Sequence, residues 1–180
     1  MRGLVFTEFL DFVETAAGPV MVEEMLDSCD LVSGGAYTTV GTYDHQEILK
    51  MLVFLNTATG QAVSEMVIAF GQHLFGQLVE HHPDIVQDGV ALLDFLEGIE
   101  THIHHEVRKL YPDAELPFFE AARLDPTHLT LTYRSARPFA DLAYGMLNGA
   151  VAFFKKNARV ERSEITVAQG YGAQFNISLG

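Results

Sequence analysis

Residues 129–141 read LTLTYRSARPFAD, and the way this run is taken decides the fold. Leu129, Leu131 and Tyr133 alternate with Thr130, Thr132 and Arg134, so a strand over 129–134 turns its side chains to opposite faces with period two. Continued two residues at a time, that period brings Tyr133, Ser135 and Arg137 to one place. A permanently charged planar fork flanked by two hydroxyls suits a ligand carboxylate, because charge-assisted bidentate bonds hold it directionally. A surface arginine at a strand end fits the same residues, and the triplet alone does not decide between the two.

Downstream, the helical period returns. Phe139, Leu142, Ala143, Met146, Leu147, Ala150, Val151 and Phe154 describe a helix that ends at Lys155-Lys156-Asn157, where cations suit its dipole. Val160 to Ala168 and Tyr171 to Leu179 then alternate around Gln169-Gly170, a terminal hairpin.

Upstream, the pattern is helical throughout. Residues 3–17 carry Val5, Phe9, Phe12 and Val13 at helical spacing and stop at Gly18-Pro19. Pro19 opens a second helix running to about Asp30. Asp44 with Glu47 resembles a capping box for a third, which ends near Thr59-Gly60. Ser64 is expected to cap a fourth that His81-His82-Pro83 closes, with Gly71 and Gly76 inside it explained by a packing crossing, favoured over the close approach of a flat ligand. Leu92, Phe95, Leu96, Ile99, Ile103, Val107 and Leu110 place one long core helix over 89–110. Residues 113–128 form an irregular connection with a short strand around Phe118 to Arg123. The expected fold class is α+β, an N-terminal helical part packed on a C-terminal mixed part with a small antiparallel sheet.

At 180 residues the chain reads as one domain. Its 24 acidic residues against 11 basic ones give a net charge of -13, which repels phosphate backbones and anionic lipid and sets aside nucleic acid and membrane as partners. Cys29 stands alone, which excludes an internal disulfide and a cysteine-based zinc knuckle. No leader pattern opens the chain and no run approaches a membrane span, so the expected location is cytoplasmic. No nucleophile elbow, P-loop or paired acid and base emerges, and the chain is not expected to be an enzyme.

Three of eight histidines, His102, His104 and His105, lie in the core helix. On an unbroken helix His104 sits roughly 100° from the apolar stripe and His102 a similar angle to the other side. Residues two apart do not share a face, so only His102 with His105 could pair around a metal. Periodicity does not choose among them.

Two motifs together do. His104 precedes Tyr111-Pro112 by seven residues, and Tyr133-Arg-Ser135-Ala-Arg137 follows some twenty residues later. This pairing resembles the H-NOX family, the haem nitric oxide/oxygen binding domains that include the haem domain of soluble guanylate cyclase. The likeness extends to Met1 to Gly3, Phe70-Gly71 and Pro117, and so across essentially the whole chain. It implies a haem b held between a distal helical part, residues 1–60, and a proximal mixed part, residues 61–180. His104 is then the iron ligand, Tyr133, Ser135 and Arg137 clamp the propionates, and Pro117 packs on the macrocycle. Val5, Phe9, Leu74, Leu78 and Leu142 become the distal lining.

Oxygen-binding members of that family carry a tyrosine five residues beyond the motif arginine, where this chain has Leu142. Tyr144 is two positions further and turned away by about 200° on a helix. The resemblance therefore implies a sensor for nitric oxide that also takes carbon monoxide. Since no catalytic module is seen before Gly180, it is expected to signal to a separate histidine kinase or cyclic-dinucleotide enzyme. A haem-free module binding a small carboxylate through Tyr133, Ser135 and Arg137 is the alternative.

Overall fold

The computed structural model describes residues 1–112 and 114–180. Asp113, in the expected connection, and the side chain of Leu110, on the expected stripe, lie outside the described residues. The helices are α1 (Gly3–Ala17), α2 (Pro19–Ser28), α3 (Gln46–Thr59), α4 (Val63–His81), α5 (Leu92–Glu97), α6 (His104–Leu110) and α7 (Ala140–Phe153). The strands are β1 (Phe118–Asp125), β2 (His128–Ser135), β3 (Ala158–Ile165) and β4 (Tyr171–Leu179), so the α+β expectation holds. Among the described residues no single helix is long and apolar enough to cross a membrane.

The sheet is antiparallel in the order β1-β2-β4-β3. Tyr133 lies opposite Ala173 and Leu131 opposite Phe175, so one register puts Leu129, Leu131, Tyr133, Ala173, Phe175 and Ile177 on a single face. All six are buried there against α5 and α7. The other face carries Thr130, Thr132, Gln174 and Asn176, as the period of two requires.

Two apolar clusters share α4. Met66, Val67, Phe70 and Leu74 join α1, α2 and α3 around Phe6, Phe9 and Met51. Phe75 and Val79, a turn later, join α5, α7 and the sheet. The clusters meet where α4 crosses α7 at Gly71 and Gly145. A Cβ at Gly145 would lie 2.1 Å from the Ile68 carbonyl oxygen, and one at Gly71 would lie 2.4 Å from that of Leu142. Only glycine permits this approach, which bears out a crossing at Gly71. Gly76 meets nothing within 4 Å, so the same reason does not extend to it.

Three expectations need correction. The core helix over 89–110 is three pieces, α5, a π turn at Ile99–Ile103, and α6. Gly98 ends the first piece, and an apolar spacing that fits one α-helix runs on across the change of winding. Ser64 does not cap α4, which begins one residue earlier with Ala62 in extended conformation before it. Asp44 accepts from the Gln46 N–H at 3.0 Å, but Glu47 turns inward instead of back. It accepts from the Tyr37 hydroxyl at 2.6 Å and from the Ser33 N–H at 3.1 Å, because the Glu47 carboxylate is itself buried and needs donors there.

Candidate functional site

The π turn decides how the histidines face. It carries more residues per turn than an α-helix, so the residues beyond it are rotated relative to an unbroken one. His102 and His105 are exposed, whereas the His104 side chain is 12% exposed and its ring lies against Phe119 of β1, 5.8 Å between centroids. No group of three or more His, Cys, Asp or Glu among the described residues is arranged to hold a metal ion, and His102 instead lies 3.0 Å from the Thr101 hydroxyl.

His104 is held by an acid that the periodicity of the sequence does not single out. Its Nδ1 donates to Glu100 Oε2 at 3.0 Å, and since a carboxylate only accepts, the proton is on Nδ1 and Nε2 keeps its lone pair. Burial pushes the imidazole pKa down, against the Glu100 bond that raises it. At Glu100 burial raises the pKa, but hydrogen bonds from His104, Arg108 and the Phe119 N–H outweigh it and leave the carboxyl below its ordinary value. The signal was available as Glu100, His104 and Arg108 at four-residue spacing, which a helix stacks on one side.

Phe119 links this group to the motif on β2, for its other edge meets the Tyr133 ring at 5.4 Å. Tyr133 is buried; that burial pushes its hydroxyl pKa up, while a bond from Ser135 and the nearby guanidiniums of Arg162 and Arg137 pull it down. The three motif residues stay on one side, with Ser135 bonded to the Tyr133 hydroxyl and the Arg137 charge near it, but the Arg137 guanidinium is turned outward. β2 ends at Ser135, whose hydroxyl accepts from the Arg137 N–H at 3.0 Å and bends the chain. The Arg137 guanidinium reaches instead to the Glu115 carboxylate and, at 3.2 Å, to the Glu115 carbonyl. Pro117, two residues on, is half-buried. Arg162, which no motif marks, comes from β3, pairs with Asp141 at the start of α7, and faces the Tyr133 hydroxyl.

The apolar candidates divide. Val5 and Leu142 line a void of about 10 Å³ together with Met1, Ile48, Leu52, Val67, Phe70 and Phe139, and no side-chain hydrogen-bond donor is among them. Phe9 and Leu74 are buried in the same cluster, Phe9 edge-on to Phe70 at 5.2 Å. Leu78 is partly buried against the edge of that cluster and also lines a second hollow with Leu4, Glu8 and His81. Tyr144 is stacked on Phe175 and donates to the Val160 carbonyl at 3.2 Å, on the sheet side of α7 as its helical angle requires.

Comparison with known proteins points the same way. The haem-NO-binding family model matches residues 2–162. The chain is similar to the unliganded Fe(II) H-NOX protein from K. algicida at 33% identity, over 100% of this chain and 97% of that one, with a TM-score of 0.92. It is 40% identical to the IWP-051-bound H-NOX from Shewanella woodyi in the Fe(II)CO state, over 100% and 95%, with a TM-score of 0.84. It is 26% identical to an H-NOX protein from S. oneidensis in the Fe(II)NO state, over 100% and 99%, with a TM-score of 0.87. Among curated proteins none matches. The family match sets aside the haem-free alternative, and the chain belongs to the haem-NO-binding, or H-NOX, family of non-catalytic haem sensor domains.

Proposed function

We propose that His104 Nε2 is the axial ligand of the haem, and that the domain senses nitric oxide and reports it to a separate effector protein. The observation that carries this reading is the 3.0 Å contact between His104 Nδ1 and Glu100 Oε2 on a buried ring, which in the neutral imidazole leaves the Nε2 lone pair for iron. The donor set fits the group in other respects. Tyr133, Ser135 and Arg137 offer hydroxyls and a cation to the propionates, and the Glu115 partner of Arg137 is largely exposed, so that ion pair is weak enough to exchange. Val5, Phe9, Leu74, Leu78 and Leu142 supply the apolar distal side, with Pro117 against the macrocycle.

Haem, when bound, supplies the ferrous iron that takes nitric oxide or carbon monoxide. The chain's part is to hold that iron from one side and exclude polar groups from the other. Only a ligand that discriminates between two conformations can move a protein between them. A bond that His104 would make to the haem iron in one state and not in the other would be such a discrimination, and α6, which carries His104, is the element it would hold. In this reading residues 1–60 form the distal part and residues 61–180 the proximal part. The output passes to a histidine kinase or cyclic-dinucleotide enzyme in trans, in the cytoplasm.

The test is His104→Gly beside His102→Gly and His105→Gly in reduced protein. Loss of five-coordinate haem in the first alone, restored by added imidazole, is expected. The same loss in His102→Gly instead would move the ligand to another residue.

A further inference from the structure

The Nδ1 proton of a ligating histidine is held by a backbone carbonyl, a water or a carboxylate, and these differ in how much negative charge they lend the ring. Here the partner is a carboxylate in a crowded position. Glu100 Oε2 accepts from His104 Nδ1 at 3.0 Å and from the Phe119 N–H at 3.3 Å, while Oε1 accepts from Arg108 at 2.7 Å. Donors from α6 and β1 thus meet on one acid in the π turn, whose side chain is 20% exposed. The arrangement fixes the ring plane, and its charge is only partly neutralised, since Arg108 is itself 43% exposed and shared with water.

We propose that Glu100 is the positioning residue that sets the strength of the bond between His104 and iron. Drawing the Nδ1 proton toward an anion raises the basicity of the ring, so Nε2 binds iron more tightly and lets go less readily when a gas binds on the far side. Arg108 acts with the opposite sign, because it withdraws charge from the same carboxylate. The pair therefore sets how much ligand binding is needed to free α6. The inference rests on His104 being the axial ligand.

The opposed signs separate this role from a merely structural one. Glu100→Gln keeps an acceptor in the same place and removes the charge, and Arg108→Gln removes only the competing cation. The measurement is the iron–histidine stretching band in the resonance Raman spectrum of the full-length, haem-loaded, reduced protein without gas. Expected are a downshift in Glu100→Gln, an upshift in Arg108→Gln, and haem loss from Glu100→Gln that is roughly 10- to 100-fold faster. A band that disappears in His104→Gly but stays put in Glu100→Gln overturns the inference and leaves the ligand assignment standing. A band that survives in His104→Gly overturns the assignment itself. If Glu100→Gln does not fold, Arg108→Gln decides alone, and an unmoved band there overturns the proposal.

Discussion

The void under Leu142 and the surroundings of His104 are built from opposite materials. Eight apolar side chains line the first, with no hydrogen-bond donor among them. Around the second, His104 Nδ1, Arg108 and the Phe119 amide all donate to the Glu100 carboxylate in a charge-assisted network. Apolar packing is indifferent to small rotations, whereas hydrogen bonds to a carboxylate are directional and roughly twice as strong as neutral ones. One region can thus shape access without steering a ligand, and the other can aim a single lone pair. A sensor needs both, since discrimination between gases and transmission of the result are separate tasks.

The glycine crossing joins the two regions, and breaking it should have the largest effect. Gly145→Val places side-chain atoms where the Ile68 carbonyl already sits 2.1 Å from an added Cβ. We predict a loss of about 3 kcal/mol in denaturant unfolding, the upper end for overpacking. Gly76→Ala, facing open space in the same helix, should instead gain roughly 0.5–1 kcal/mol. Equal destabilisation by both would show that α4 tolerates no change anywhere and that the crossing is not special.

On the polar side, Arg137→Ala should speed haem loss more than Ser135→Ala. A charged hydrogen bond is worth roughly 1.5–3 kcal/mol against about 1 for a neutral one. Time courses of haem transfer to an acceptor protein check this, and identical rates in both variants and the parent would remove the clamp.

A smaller effect belongs to the loop that Glu47 pins. Glu47→Ala orphans the Ser33 and Tyr37 donors and should cost about 1.5 kcal/mol near neutral pH. Burial raises the Glu47 pKa, but the bonds from Ser33 and Tyr37 outweigh it and the net shift is downward. A depressed folded pKa means the stabilisation is present above the ordinary glutamate value and is lost as pH falls through the folded one. The stability gap between parent and variant should therefore narrow in acid, and a gap that widens there would reverse the sign.

Three of the four strands were legible because period two, turn residues and a buried face agree along Leu129 to Tyr133 and Val160 to Leu179, whereas β1, eight residues long, was expected only as a short strand in an irregular connection. Helix α7 was legible for the same reason, down to the direction of Tyr144. The core helix was misread because Leu92, Phe95, Leu96, Ile99 and Ile103 keep an apolar stripe across a π turn, and no residue type marks such a turn. His104 was singled out by its spacing to Tyr111 and not by the wheel. Glu100 went unread, despite its four-residue spacing to His104 and Arg108, because charged residues on a helix are usually solvated, and Arg162 because only the third dimension brings an edge strand beside Tyr133. Arg137 was placed too simply, since a strand's period ends with the strand.

The most direct test of the division between an apolar distal side and a directional proximal one is the absorption spectrum of the reduced protein exposed in turn to nitric oxide, carbon monoxide and air. Bound oxygen is the gas that most needs a hydrogen-bond donor, and no side chain lining the void is one. The account predicts a shifted Soret band with nitric oxide and with carbon monoxide, and no stable oxygen complex in air. Leu142→Tyr should introduce some oxygen affinity, limited by the aim of its hydroxyl. A persistent oxygen complex in the parent, with split visible bands and no conversion to the ferric form, would contradict it.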